Sequence, residues 1–203
     1  IKGLVVTHGH EDHIGGLAFL LGVINAPVYA TKLTIGLIEG KLKEHKLLGD
    51  VELNVVSPRD VVTAGCMTVE FIGVNHSIPD ACALAITCPA GVLIQTGDFK
   101  IDYTPIQSEI IDLARFGELG SRGVLALLSD STNSECPGNA ASERAVGESF
   151  DLLFKRAANK RIIIATFASN IHRIQQIVNS SYKYGKKVAV SGRTMVNVVK
   201  KAI

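Results

Sequence analysis

Short runs of aliphatic and β-branched residues, each closed by a turn signal, organise the first two-thirds of the chain. Lys2–Thr7, Pro27–Ala30, Val51–Val56, Thr68–Val74, Ala83–Cys88 and Val92–Thr96 predict strands. Cys88-Pro89-Ala90-Gly91 predicts a hairpin turn between the last two. Helical patterns fall at about 14–23, 32–43 and 105–117, which gives sheet material with helices packed outside it. After residue 135 the pattern changes. Ser142 is placed to cap a helix running to about Ala157, Arg161–Thr166 reads as a strand, and a helix follows from Asn170 to about Tyr184. Lys187–Val190 reads as another strand, with a further helix starting near Thr194. Strands alternating with helices of this length predict parallel βαβ units. The Gly/Pro/Asn-rich stretch Ser134–Ala141 is the expected boundary, dividing the chain into domains 1–140 and 141–203.

Composition changes this picture in three respects. The chain of 203 residues is 47% hydrophobic, which is apolar for a complete soluble domain and fits a stretch whose neighbours cover some of its surface. It begins at Ile1, and it is expected to be an internal part of a longer protein. No apolar run reaches the ~18 residues of a membrane span. The run Ala18–Val28 is broken by Gly22, Asn25 and Pro27, so no membrane partner is expected. The four cysteines (Cys66, Cys82, Cys88, Cys136) form no CxxC pair and read as reduced thiols of a cytoplasmic protein. The net charge of +2 conceals an asymmetry, because residues 151–203 carry eleven bases against the single acid Asp151. A basic end beside an acid-rich remainder suggests a surface for a polyanion next to a carboxylate-rich site.

The candidate chemistry concentrates in Thr7-His8-Gly9-His10-Glu11-Asp12-His13, which follows a Val/Leu strand and precedes Gly15-Gly16. Imidazole and carboxylate are ligands that zinc selects. A strand end, a glycine turn and a helix start aim His8 and His10 at one metal, and Asp12 and His13 reach a second. Taken alone, His76 in Val74–Asp80 is an ordinary loop histidine, and Asp98 in Thr96–Lys100 a turn residue. Each closes a strand, however, and strand ends of one sheet converge, so together with the first loop they suggest a dinuclear site bridged by Asp98. His45, in a Lys/Glu-rich stretch, reads as a surface residue.

The His-x-His-x-Asp-His run, the later His and the Gly-Asp pair resemble the metal-site pattern of the metallo-β-lactamase superfamily, a four-layered αββα fold. Further segments resemble the ribonuclease J family of β-CASP nucleases. These are His76-Ser77-Ile78-Pro79-Asp80, the run Thr96–Pro105, Leu128-Ser129-Asp130-Ser131-Thr132-Asn133, Phe167–Gln176 and Gly192-Arg193-Thr194-Met195. The resemblance implies an α/β fold: an incomplete metallo-β-lactamase sandwich, lacking its first and last strands, followed by the start of a parallel α/β β-CASP domain. It implies two zinc ions, one on His8, His10 and His76, the other on Asp12 and His13, with Asp98 bridging. Asp12, Asp98 and Asp130 are the implied catalytic acids, Asp130 by orienting a ligand histidine or a water. His172 and Arg173 are expected on the polar side of a helix whose Ile171, Ile174 and Val178 face inward. Ser169, Asn170, His172, Arg173 and Arg193 are the candidate RNA contacts. The family pattern supplies a further histidine after Ile203, so the second zinc site is expected to be incomplete in this stretch.

The activity implied is metal-assisted hydrolysis of RNA, both 5′-to-3′ exonucleolytic and endonucleolytic, leaving a 5′-phosphate and a 3′-hydroxyl. The implied setting is rRNA processing and mRNA decay in a homo-oligomeric protein, dimer or tetramer. Two other readings share parts of the pattern: a thioesterase-like hydrolase of small molecules, and an inactive RNA-binding module.

Overall fold

The computed structural model describes residues 1–106, 110–139 and 142–202. Three short parallel strands, β1 (Leu4–Val5), β2 (Val28–Thr31) and β3 (Leu53–Val56), form a first sheet in that order. Parallel neighbours need a crossover. The first is made by α1 (Glu11–Ile14) and α2 (Leu17–Leu21), the second by α3 (Lys32–Glu44). Ile14, Leu17, Leu21, Ile35, Ile38 and Leu42 turn their apolar sides onto Val28 and Ala30 of the sheet, and these residues are all buried.

The second sheet is ordered β4 (Val61–Ala64), β5 (Met67–Gly73), β6 (Cys82–Cys88), β7 (Gly91–Gln95) and β8 (Ala126–Leu128). It is antiparallel as far as β7, and β8 then joins β7 in parallel. The predicted hairpin turn is present, with Cys88 opposite Gly91. Strand β4 lies outside the predicted set. Its four residues pair with β5 around Gly65, whose φ of +68° is a conformation that glycine adopts without strain.

Side chains alternate across this sheet with period two. Val69 and Phe71 of β5 and Cys82 and Leu84 of β6 face the first sheet, where they meet Val5, Tyr29 and Val56. Ile72, Ala83, Ala85 and Ile94 point the other way, onto Phe116 and Leu119 of α4 (Leu113–Arg122). The layers therefore run helix, sheet, sheet, helix, as expected. Burial of both faces explains why β6 is apolar from Cys82 to Ile86 instead of alternating with polar residues.

Helix α4 begins later than the predicted 105–117. Asp112 accepts from Arg115 N (3.0 Å) and caps the helix, and Ile111 N donates to the Asn75 side chain (3.0 Å), which holds the preceding segment against the His76 loop. Residues 107–109 lie outside the described set.

The C-terminal region consists of α5 (Glu143–Arg156), α6 (Ile171–Lys183) and α7 (Arg193–Ala202). Helices α5 and α6 pack together, and α7 packs on α3. The predicted strands Arg161–Thr166 and Lys187–Val190 are corrected: among the described residues neither segment joins a ladder. Both line an open cavity of about 520 Å³ together with Phe154, Ile174 and Ile177. A β-branched run favours an extended backbone, but a strand also requires a hydrogen-bonded neighbour.

The predicted orientation of α6 is also corrected. Its buried residues are His172, Gln176, Ser180 and Ser181, whereas Val178 is exposed. A polar stripe at i, i+4, i+8 faces inward, and Gly147 on α5 has no Cβ to strike the Gln176 amide. Ile174 and Ile177 line the cavity instead.

Candidate metal centre

The first ligand-bearing loop leaves the end of β1 and enters α1. His8 is fully buried (0% exposed). Its Nδ1 lies 3.0 Å from the Thr7 hydroxyl, while its Nε2 is buried without a hydrogen-bond partner. A buried imidazole nitrogen without a partner is costly unless something else satisfies it. Gly9 is in close contact with α3, since a Cβ there would lie 2.6 Å from Leu37 Cδ1. His10 occupies the N-cap position of α1 in an extended conformation, with no cap bond from its side chain. Its ring is turned to His76, with Nδ1 3.0 Å from His76 Nε2, and Ser77 Oγ lies 3.4 Å from its Nε2.

Asp98 arrives from the end of β7 through Gly97, whose φ is +58°. A Cβ on Gly97 would lie 3.0 Å from Thr7 Cβ and 3.2 Å from the Cys82 carbonyl, so glycine allows the two ligand loops to touch. The two Asp98 oxygens approach different ligand rings. Oδ2 lies 3.7 Å from both His8 Nε2 and His76 Nε2, whereas Oδ1 lies 3.4 Å from His13 Nε2. His13 Nε2 is in turn 3.6 Å from Asp12 Oδ2. The six residues thus form two groups, His8–His10–His76–Asp98 and Asp12–His13–Asp98, with Asp98 in both, and within each group the donor atoms lie within 4.8 Å of one another.

Electrostatics favour a cation here. Burial, reinforced by the neighbouring imidazoles, brings His8 down to about 2 and His76 down to about 4. His10 is also lowered, chiefly by burial. These rings are therefore neutral at physiological pH, with lone pairs available for a metal. The donor set fits zinc: nitrogen and carboxylate ligands gathered at one point, one of them a buried nitrogen with no other partner.

Asp130 stands beside this centre, but its carboxylate is bonded by Phe99 and Thr132 rather than by a histidine. Oδ2 accepts from Phe99 N (3.4 Å) and Oδ1 from Thr132 N (2.9 Å), while its own N–H donates to Thr96 Oγ1 (2.9 Å). Burial pushes its carboxyl up, yet the bonds from Thr132 and Phe99 hold it below the ordinary range.

The candidate RNA contacts lie apart from the ligand cluster in sequence and do not form one exposed patch. Asn170 caps α6 by accepting from Arg173 N (3.0 Å), His172 is buried, and Arg173 pairs with Glu143 (2.9 and 3.2 Å). Ser169 is half-buried, and Arg193, at the start of α7, is exposed. The roles of Thr7 and Ser77 beside the ligand rings were not read from the sequence, because a lone hydroxyl residue carries no spacing signal.

Residues 1–122 match the family model of the metallo-beta-lactamase superfamily. The chain belongs to the metallo-β-lactamase superfamily. Residues 159–203 match the model "Ribonuclease J, beta-CASP domain", so the sandwich is followed by the start of a β-CASP domain. Among curated relatives, Ribonuclease J of Synechocystis sp. is 48% identical over 201 residues, covering 98% of this chain and 31% of the relative. Ribonuclease J of Thermus thermophilus is 44% identical over 203 residues, covering 97% of this chain and 35% of the relative. The chain thus spans about a third of the length of the curated relatives it matches. A solved structure described as a protein of unknown function from Enterococcus faecalis shares the fold with a TM-score of 0.67 at 19% identity, over 94% of this chain and 52% of that one. No helix among the described residues is long and apolar enough to cross a membrane.

Proposed function

We propose that this chain carries the metal centre of a zinc-dependent ribonuclease that hydrolyses RNA phosphodiester bonds, leaving a 5′-phosphate and a 3′-hydroxyl. The observation that carries this reading is Asp98, whose two oxygens face two separate groups of ligand residues. His8, His10 and His76 would hold one zinc, Asp12 and His13 the other, and Asp98 would serve both. Zinc bound there supplies a water of lowered pKa and neutralises charge on the phosphate.

The protein's own residues prepare the site. Thr7 takes one nitrogen of His8 and leaves Nε2 free for the metal. Asp130 fixes the backbone next to Asp98 through Phe99 N. The basic C-terminal region would grip the phosphates of the strand, so binding weakens steeply with salt. RNA as substrate, combined exonucleolytic and endonucleolytic cleavage, a cytoplasmic site of action and assembly as a homo-oligomer are proposed from the likeness to Ribonuclease J. The division into domains 1–140 and 141–203 belongs to the same proposal.

Elemental analysis of the purified chain, beside an Asp98→Ala variant, tests the centre. At least one zinc per chain is expected, falling sharply in the variant. Among the described residues the Asp12–His13 group offers three ligands, so its site is expected to load more weakly. EDTA-sensitive cleavage of 5′-phosphorylated RNA tests the reaction. A folded chain that takes up no metal would overturn the proposal.

A further inference from the structure

Asp98 follows β7 in residues 96–106, which form no helix or ladder strand, so its position depends on individual bonds. On the near side, Phe99 N donates to Asp130 and Lys100 N donates to Asn75 O (2.8 Å). The far side ends at Asp102, which is only 5% exposed and belongs to neither ligand group. Its Oδ1 accepts from Thr104 N (3.0 Å) and closes a local turn. Its Oδ2 reaches out of the loop, accepting from Ser142 Oγ (3.0 Å) and Glu143 N (3.4 Å) and lying 3.2 Å from Lys100 Nζ.

Ser142 and Glu143 are the N-cap and first residue of α5. The carboxylate therefore sits at the positive end of a helix from a distant part of the chain, where the free N–H groups and the helix dipole favour a negative charge. Burial pushes the Asp102 carboxyl up, but the bonds from Thr104, Ser142 and Lys100 hold it below the ordinary range, so it stays charged. Glu143 extends the connection by pairing with Arg173 of α6 and lying 3.8 Å from Lys100. Thr104 alone would be enough to close the turn. The second oxygen is directed at the helix.

We propose that Asp102 is a positioning residue: it fastens the loop carrying Asp98 to the N-terminus of α5, so that the C-terminal helices set the reach of Asp98 into the two ligand groups. This inference rests on the metal-site reading above. It follows that whatever shifts α5 and α6, bound substrate included, also shifts the shared carboxylate.

Cobalt(II) substitution reads this without any assay of activity, because its visible spectrum reports coordination geometry. Asp102→Ala is expected to keep cobalt bound while moving the visible bands toward those of Asp98→Ala. Amide exchange in 97–104 should become roughly tenfold faster, the loss expected of one charge-assisted hydrogen bond. Ser142→Ala, which removes the partner on the other side, is expected to move the spectrum in the same direction by a smaller amount. It also keeps the test open should Asp102→Ala not fold. A spectrum unchanged by Asp102→Ala and Ser142→Ala, but changed by Asp98→Ala, overturns the proposal and leaves the metal centre standing. A spectrum unchanged by Asp98→Ala overturns both. A lower melting temperature with an unaltered spectrum marks Asp102 as structural only, and also overturns the proposal.

Discussion

Replacing Gly97 by alanine tests whether the two ligand loops must touch. Two costs follow from the structure. At φ +58° an L-residue is strained by about 1–2 kcal/mol. The new methyl would also lie 3.0 Å from Thr7 Cβ and 3.2 Å from both Thr7 Cγ2 and the Cys82 carbonyl, well inside a normal contact. Neither neighbour yields easily, because Cys82 N donates to Thr7 O (2.9 Å) and the Thr7 hydroxyl is engaged with His8. Overpacking of this kind costs a further ~1–3 kcal/mol. A total of about 3 kcal/mol lowers the melting temperature by about 6–12 °C in a chain of this size. Because Thr7 orients His8, zinc affinity should fall at least about tenfold as well. Thermal unfolding by circular dichroism and chelator competition measure the two effects. Gly117→Ala is the control, since Gly117 lies within α4 with nothing near its would-be Cβ, and it should be stabilising by about 0.5–1 kcal/mol. Should Gly97→Ala unfold within about 0.5 kcal/mol of the parent chain, the argument from contact is wrong.

Three further outcomes are expected. His8 and His76 stay neutral in the folded, metal-free chain, whereas the unfolded chain binds protons below the ordinary value of 6.5. Metal-free stability is therefore fully present above 6.5 and is lost as pH falls toward about 4 for His76 and about 2 for His8. Between pH 7 and pH 5 the loss is about 2 kcal/mol for each ring, and urea midpoints in EDTA that do not change over that range would refute it. Arg115→Ala removes a two-pronged pair with Glu70 (2.9 and 2.8 Å) that fastens α4 to β5 and leaves a mostly buried carboxylate short of its partner. It should cost about 2–3 kcal/mol in urea unfolding, far more than an exposed ion pair. Asp130→Asn turns one of two accepting oxygens into a donor facing a backbone N–H, so it should cost about 1 kcal/mol in a thermal scan and weaken zinc binding by about tenfold in chelator competition.

What could be read from the sequence was local. The Thr7–His13 run, the Cys88–Gly91 turn and the apolar strands each depend on neighbours a few residues apart, so spacing alone identifies them. Helices α3, α5 and α6 were legible for the same reason, through their periodicity and, in α5 and α6, the caps Ser142 and Asn170. Tertiary structure decided whatever depends on a distant partner. Arg161–Thr166 has the residues of a strand, but pairing is a property of two segments. His172 looked exposed because a polar stripe usually faces water, yet α6 turns that stripe inward, where Gly147 leaves room for Gln176. Asp98 was legible as a ligand candidate, but the division of its two oxygens between different histidines arises only where loops 90 residues apart meet. Asp102, at the N-terminus of a helix 40 residues further on, left no signal in its own neighbourhood. Side-chain chemistry can be read along the chain, whereas the direction in which a carboxylate points is set by what the fold packs against it.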